Sequence, residues 1–400
     1  MPNRIARWTA ALASLAAARR KAESLRQVRE QTMSHTTSRL ALLLLTALAS
    51  MSVAAVQRTF VATSGLDGDP CTLAQPCRSF ASAITAADAG GEVIVLDSGG
   101  YGPVTITKSI TIAAPQGVYA GVTANGVDGV VVNGAGISVV LRGLSINGLG
   151  AINGTGVKFL QGARLHVERC DVSGMTTAGI DVQAEGATVH ITDLVLRANY
   201  EGLVAKTGGA GTAIFGERVR IERSTGDGVA LLAPVNLTLR DSWSVANQGS
   251  GISVFLDGPG LKSRIELDNV TASANGGAGV TLIASGDTTT LVSASVTRGL
   301  IADNGLYGLW TTSNFASALA LVQIALSDSV VRGNASYGVF SSFGASGSYL
   351  LATRNTIHGN TLDGIRTFNS SFQSRGDNSI YGNNGGGTQT TGPITLLTGV

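Results

Sequence analysis

The chain has 400 residues, of which 44% are hydrophobic and 14% are charged, so it is long and apolar enough to bury an extended core. Its formal net charge is +2, and no basic patch with interleaved aromatic residues occurs, which argues against a nucleic-acid-binding protein. The 53 glycines indicate closely spaced turns.

Residues 33–55 have the organisation of a secretory signal peptide. Arg39 precedes an apolar run at 40–49, and small residues follow at 52–55. The apolar run is too short to remain as a membrane-spanning helix, so we expect no membrane span once this segment is removed. The segment therefore predicts a secreted, periplasmic or cell-surface protein.

Residues 1–32, which precede this signal, are rich in Arg and Ala. They are either a mis-assigned start upstream of Met33 or an extended amino-terminal part of the signal peptide. In both cases we expect the mature chain to begin near Val56.

Residues 56–91 read as an amino-terminal cap. Cys71 and Cys77 bracket a short loop, and in an exported protein this spacing favours a local disulfide. A metal site is the weaker alternative, because the two thiols have no histidine nearby. The apolar spacing in Ser79–Ala89 predicts an amphipathic helix that covers the end of a β-structure, whose first strand we place at Glu92–Leu96.

Residues 92–387 contain a repeated skeleton, in which a polar residue is followed six positions later by Asn and four positions after that by Gly. Asp241, Asn247 and Gly251 form one copy, and an alternating apolar run follows each Gly. The marker glycines recur every 23 to 30 residues, at positions 179, 202, 228, 251, 279, 308, 338 and 364. This period predicts stacked coils of β-strand. We expect Asn to turn a corner in the left-handed conformation and to bond its neighbours above and below, and Gly to relieve the next bend.

The Asn-x-x-x-Gly-Ile/Val/Leu repeat resembles the right-handed parallel β-helix proteins of the pectin-lyase-like group. The order of the cap features before it resembles the amino-terminal cap of secreted bacterial β-helix proteins. The resemblance implies an all-β, single-stranded right-handed parallel β-helix with an amino-terminal helical cap. Markers at Gly102, Gly129 and Gly156 extend the series to about a dozen coils, and residues 388–400 form a tail that frays or caps the last coil.

The register separates inward from outward side chains. Residues two and four positions before the polar corner, such as Leu165 and Val167, are apolar and are predicted to face the core. Cys170 falls at another apolar position, which predicts an inert core thiol. His166 and His190 occupy the same outward position on consecutive coils. They are either two exposed histidines on a polar face or a pair that could hold a metal or exchange protons.

Four aromatic residues gather on two neighbouring coils, on the outer side of the strands that follow the marker glycines: Tyr307, Trp310, Tyr337 and Phe340. Exposed aromatic side chains in one patch indicate binding, and sugar rings stack on such platforms. The alternative is that the segments Thr311–Leu319 and Ser341–Ser348 fold over these rings, or that the rings form a subunit contact.

Catalysis has a weaker basis in this sequence. The clustered motifs of polygalacturonases, pectate lyases and mannuronan epimerases do not occur, and the acidic residues near the marker glycines look dispersed over separate coils: Asp181, Glu201, Asp227 and Asp363. The best catalytic candidates are Glu201, Lys206 and Asp227, which lie within two coils and form a carboxylate–lysine set.

Two functions from different classes therefore remain. The first is a non-catalytic β-helix rod that binds polysaccharide or acts at the cell surface. The second is a polysaccharide lyase or glycoside hydrolase with an unfamiliar site. We expect no metal or cofactor, except Ca²⁺ if the chain is a lyase. The sequence does not predict the oligomeric state.

Overall fold

The computed structural model describes residues 19–21, 23, 26, 57–206, 211–313, 320–343, 348–368 and 371–397. Residues 1–55 and 56–400 form two separate units. The described residues of the first unit are helical. The predicted signal peptide at 33–55 lies outside the described residues, as does the predicted mature start at Val56.

The described part of the second unit is a parallel β-helix in which each complete coil contributes one strand to each of three sheets. The sheets are here named A, B and C in the order that the chain follows after each marker glycine. Every strand pairing along the three sheets is parallel, and the crossovers have the right-handed sense expected for parallel connections. Sheet A alone has twelve strands among the described residues. The predicted right-handed parallel β-helix of about a dozen coils is confirmed.

The strands of sheet A are Val104–Ile106, Val130–Asn133, Thr155–Gln161, Ala178–Val182, Glu201–Ala205, Val229–Leu231, Ile252–Asp257, Val280–Ser285, Leu309–Ser313, Val339–Phe343, Ile365–Phe368 and Thr390–Thr391. Those of sheet B are Arg58–Val61, Gly91–Val95, Ile110–Ala113, Ser138–Arg142, Arg164–Glu168, Thr188–Thr192, Ala213–Glu217, Asn236–Val245, Lys262–Ser273, Leu291–Thr297, Leu321–Ser327, Tyr349–Thr353, Ser371–Ser374 and Ile394–Leu396. Sheet C comprises the second halves of Asn236–Val245 and Lys262–Ser273 together with Gly99–Gly100, Ala120–Thr123, Leu144–Asn147, Asp171–Ser173, Val195–Arg197, Arg220–Glu222, Leu300–Ala302, Val330–Arg332, Thr356–His358 and Ser379–Tyr381.

The amino-terminal cap contains one strand more than the sequence predicts. Arg58–Val61 pairs in parallel with Gly91–Val95 and starts sheet B one coil earlier than the strand expected at Glu92–Leu96. The helix spans Phe80–Ala86, and the hydroxyl of Ser79 accepts a hydrogen bond from its first turn. No helix among the described residues is long and apolar enough to cross a membrane.

The cap is held by packing and by a covalent link. Phe80 is buried, and its ring centroid lies 5.2 Å from that of Tyr101. Cys71 and Cys77 form the predicted disulfide. Together these contacts cover one end of the apolar core, which the open end of a β-helix would otherwise expose.

The core is continuous along the rod and follows the predicted register. Leu165 and Val167 are fully buried, as are their counterparts on the coils above and below. Cys170 is a buried free thiol whose pKa is raised to about 11 by burial. It is therefore protonated and unreactive at neutral pH, as the sequence predicts.

The repeated asparagines form a buried hydrogen-bonded ladder. Each side-chain oxygen accepts bonds from the backbone N–H and the amide of the Asn one coil earlier; Asn275 donates both to Asn304, at 3.1 and 3.0 Å. The ladder is continuous over Asn247, Asn275, Asn304, Asn334, Asn360 and Asn383. Gln389 caps its end, because its side-chain oxygen accepts from Asn383.

The expectation that these asparagines adopt the left-handed conformation is wrong. The residues just before them do so instead, for example Ala274 (φ 56°) and Asp303 (φ 56°), as does the polar residue that opens each repeat, for example Arg298 (φ 53°). The two left-handed corners flank each short strand of sheet C. They turn the following Asn inward, where its amide is excluded from water and must find partners within the ladder.

The marker glycines also have a different role from the predicted one. Gly228 and Gly251 do not have positive φ angles, so they do not relieve a bend. A Cβ on Gly251 would lie 2.6 Å from the carbonyl oxygen of Gly279 and 2.7 Å from the amide nitrogen of Asn275. The glycines are needed because successive coils and the asparagine ladder approach too closely for a side chain.

We predict that Asn304→Ala lowers the free energy of unfolding by about 3 kcal/mol, because it leaves several buried amide and backbone groups of its neighbours without partners. Asn236→Ala is the control, since Asn236 is exposed and accepts one surface hydrogen bond, from the N–H of Arg264. Its expected cost is below about 1 kcal/mol. Urea unfolding followed by circular dichroism measures both values, and equal costs would contradict the structural role of the ladder.

Candidate functional site

The outward side of sheet A, here called the A-face, carries two rows of side chains along the rod. One row precedes the marker glycines and the other is the outward position of each strand. Charged groups here are buried to an extent unusual for a surface: Asp181 is 9% exposed, Glu201 8% and Asp363 6%. Neighbouring side chains therefore cover these groups, and the surface along the A-face that they line is here called the trough.

The three catalytic candidates lie together in this trough. Glu201 begins the strand Glu201–Ala205, and Lys206 follows the strand, with its Nζ 2.8 Å from Oε2 of Glu201. Asp227 lies on the next coil, in the turn before Gly228, where its Oδ1 accepts a 2.7 Å hydrogen bond from the N–H of Ser250.

The acidic residues are closer together than the sequence suggests. Asp181 lies one coil before Glu201, so that Asp181, Glu201 and Asp227 occupy three consecutive coils rather than dispersed ones. Asp363 lies apart, towards the other end of the trough, near Arg366. The pairing of the two strands accounts for this grouping. Ala178 pairs with Glu201, so Asp181 lies beside the outward residue of the strand that Glu201 begins.

Burial alters the chemistry of these three carboxyl groups. It raises the pKa of each of them, because an ionised carboxylate is poorly solvated at the floor of the trough. Hydrogen bonds oppose the shift, from Gln183 to Asp181, from Lys206 to Glu201 and from Ser250 to Asp227. A carboxyl group with a raised pKa exchanges protons more readily near neutral pH than an ordinary one does.

The four aromatic candidates form one contiguous cluster at the other part of the trough. Trp310 pairs with Phe340 in the strand register, and Tyr307 and Tyr337 precede the marker glycines of the same two coils. Tyr307 and Tyr337 are parallel, with centroids 6.1 Å apart, and Phe340 stacks on both at 5.2 and 5.6 Å. All four rings are half-buried.

Trp310 has an unpaired polar group. Its Nε1 is buried and has no hydrogen-bond partner among the described residues. A buried donor without a partner is costly, and this N–H is also closed to solvent. The segments expected to cover the cluster, Thr311–Leu319 and Ser341–Ser348, begin as paired strands at Thr311–Ser313 and Ser341–Phe343. Residues 314–319 and 344–347 lie outside the described residues.

Small side chains connect the two parts of the trough. Between Asp227 and Tyr307 the floor carries Ser250, Ala278 and Thr281, and the hydroxyl groups of Ser250 and Thr281 lie 3.3 Å apart. Three strand intervals separate the carboxylates from the aromatic cluster, which corresponds to about 14 Å. The trough is therefore long enough for an extended chain molecule that touches both parts.

The two histidines lie on the outer side of sheet B, away from the trough. His166 and His190 pair in register with ring centroids 6.1 Å apart, and His190 stacks on Phe215 at 5.2 Å. Burial lowers the pKa of His166, against the opposing charge of Glu168. No group of three His, Cys, Asp or Glu side chains in the described residues is placed to hold a metal ion.

Comparisons with known proteins agree on the architecture. The family described as right-handed beta helix region matches residues 128–296. No curated protein matches the sequence significantly. Among solved structures, the A-module of Azotobacter vinelandii mannuronan C-5 epimerase AlgE4 is similar with a TM-score of 0.59 and 18% identity, over 77% of this chain and 89% of that one.

Two further structures show the same fold. The A-module of the Azotobacter vinelandii mannuronan C-5 epimerase AlgE6 matches with a TM-score of 0.53 and 17% identity, over 80% of this chain and 94% of that one. The Dettilon tailspike protein matches with a TM-score of 0.53 and 13% identity, over 81% of this chain and 67% of that one. Identities this low show the fold and not the activity.

The raised carboxyl pKa predicts a specific pH dependence of stability. Asp181 opposes folding when it is ionised. Its contribution to the free energy of unfolding is therefore favourable below the ordinary carboxyl pKa and is lost as the pH rises through the raised pKa. We expect Asp181→Asn to raise Tm at pH 7 and to have no such effect near pH 3.

Asp328→Asn is the control with the opposite sign. The pKa of Asp328 is lowered by its hydrogen bonds to Arg354, so this variant should lower Tm at pH 7 and lose that effect at low pH. Differential scanning calorimetry at both pH values measures the two differences. A fall in Tm at pH 7 for Asp181→Asn would contradict the account of the trough.

Proposed function

We propose that this right-handed parallel β-helix binds polysaccharide along the A-face, with Tyr307, Trp310, Tyr337 and Phe340 as the platform for the sugar rings. The observation that carries the proposal is the half-buried cluster of four aromatic rings on the floor of a trough, in which three rings are stacked and that of Trp310 is tilted against Tyr307. The rod is exported, and it acts outside the cytoplasm or at the cell surface.

The geometry of the cluster suits a carbohydrate. The ring planes of Tyr307, Tyr337 and Phe340 lie within 20° of one another and the rings stack, so they form one contiguous apolar surface against which a sugar can pack. The C–H faces of sugars pack on aromatic rings. Because the strands repeat every ~4.8 Å along the rod, an extended polymer can keep contact with the small, polar floor beyond the stack.

Two independent observations support this proposal. The A-modules of the similar structures belong to enzymes named for mannuronan, a polysaccharide. The disulfide between Cys71 and Cys77 favours export, because such bonds persist in oxidising compartments, and the signal predicted at 33–55 is consistent with it. Export would place the protein where polysaccharides are found.

The experiment is retention of the purified protein on a panel of immobilised polysaccharides. We expect Trp310→Ala to weaken binding about tenfold or more, since it removes the largest ring surface of the platform. Trp243→Ala is the matched control, because Trp243 is 42% exposed on sheet C and should leave retention unchanged. Equal retention of the two variants and the wild-type protein would contradict the proposed platform.

A second candidate function is polysaccharide cleavage at Glu201, Lys206 and Asp227. The observation that favours it is the set of carboxyl groups with raised pKa on neighbouring coils, which is the condition that general acid–base catalysis requires. Lys206 would then act with Glu201, to which it is paired. If the reaction were that of a lyase, Ca²⁺ would be expected as a cofactor.

Reducing ends and the absorbance of unsaturated products, followed with Ca²⁺ and with EDTA, distinguish the two functions. Product that disappears in Glu201→Gln and in Asp227→Asn would establish the second function. Retention without product, which is lost in Trp310→Ala, is what the binding rod predicts.

A further inference from the structure

Every basic side chain that the structure describes on the A-face is already held by an acidic one. Lys158 Nζ lies 3.1 Å from Asp128, Lys206 Nζ lies 2.8 Å from Glu201, and the guanidinium of Arg366 lies 4.0 Å from Asp363. In the described part of this face, each cation therefore already has an acidic partner, with which an acidic group on a ligand would have to compete.

Two carboxylates remain without an ion pair of their own in the described residues. Asp181 accepts a hydrogen bond from the side chain of Gln183 at 2.7 Å, and Asp227 accepts one from the N–H of Ser250. Together with the three ion-paired acids Asp128, Glu201 and Asp363, these two bring the acidic side chains on this face to five, against three basic ones. The floor of the trough therefore has an excess of negative charge. Residues 207–210, 314–319 and 344–347, which follow strands of sheet A in the sequence, contain no charged residue that could reverse this balance.

From this charge distribution, we infer that the glycan bound by the A-face carries no acidic groups. A uronate or sulfate placed in the trough would lose water without gaining a cation, and it would face Asp181 and Asp227. An uncharged sugar stacks on Tyr307 and Trp310 without that cost, and its hydroxyls can donate to the same carboxylates. Repulsion between like charges weakens the binding of acidic glycans and not that of uncharged ones, so it is a source of specificity.

This inference rests on the proposed function and deepens it. It also separates the chain from the epimerases of the same fold, whose names specify mannuronan, a polymer of uronic acids. Low sequence identity allows this divergence, because the β-helix scaffold does not depend on which side chains occupy the outward positions.

The test compares polymers that share a backbone and differ in charge. Propylene-glycol-esterified alginate is compared with alginate, and highly methyl-esterified pectin is compared with pectate, by affinity electrophoresis of the purified protein in EDTA and again in Ca²⁺. We expect at least about tenfold tighter retention of the esterified polymer in each pair, which corresponds to about 1.4 kcal/mol. Equal or tighter retention of the acidic polymer, in EDTA or in Ca²⁺, would overturn the inference.

A variant tests whether the two unpaired carboxylates cause the discrimination. Asp181→Asn combined with Asp227→Asn should reduce the preference for the esterified polymer to less than about threefold, because the repulsion is removed while the hydrogen-bond acceptors remain. Glu266→Gln is the control, since it makes a charge change on the outer side of sheet B and should keep the full preference. A preference that survives in the double variant contradicts the electrostatic cause.

The failure of this inference can be distinguished from that of the proposed function. Tighter retention of the acidic polymers that still depends on Trp310 contradicts the charge argument and leaves the aromatic platform in place. Retention of neither form, or retention that is unchanged in Trp310→Ala, contradicts the platform and this inference with it.

Discussion

The buried asparagine ladder is the constraint on which the rest of the structure depends. From Asn247 to Asn383 each amide bonds the next coil, so one slipped coil would leave polar groups unpaired in the core. The ladder therefore holds the coils from Asn247 to Asn383 in one register. The column of glycines beside it, of which Gly251 is one, allows the close approach that these bonds require.

A fixed register is also what creates the A-face. Because each strand lies directly over its neighbour, residues at one position of the repeat stack in rows. Residues of similar chemistry on neighbouring coils therefore form a continuous patch. Trp310 over Phe340 is one result, and the succession of Asp181, Glu201 and Asp227 is another. In the function that we propose, the aromatic rings supply the affinity for a sugar surface and the unpaired carboxylates restrict which sugars can approach.

Periodicity made the β-helix, its inward rows and the aromatic cluster predictable from sequence, because a two-residue alternation and a repeated Asn–Gly spacing have few other structural solutions. The strand Arg58–Val61 was not predictable in this way, since it is short and carries neither marker residue. The role of Gly251 was not predictable from sequence, because glycine is required both where coils approach closely and where the chain bends. The sequence predicts Glu201 and Asp227 on neighbouring coils but leaves Asp181 out of the group, because its place beside the next strand is fixed only by the strand pairing.

Hydroxyl-radical footprinting by mass spectrometry, with and without an uncharged polysaccharide, tests the central claim most directly. The half-buried rings of Tyr307, Trp310, Tyr337 and Phe340 should each lose reactivity when the glycan is bound, whereas the exposed Trp243 on sheet C reports any non-specific protection. We expect protection confined to the A-face. Protection of Trp243 or of Phe215 on sheet B, with the four A-face rings unchanged, would show that the ligand binds elsewhere.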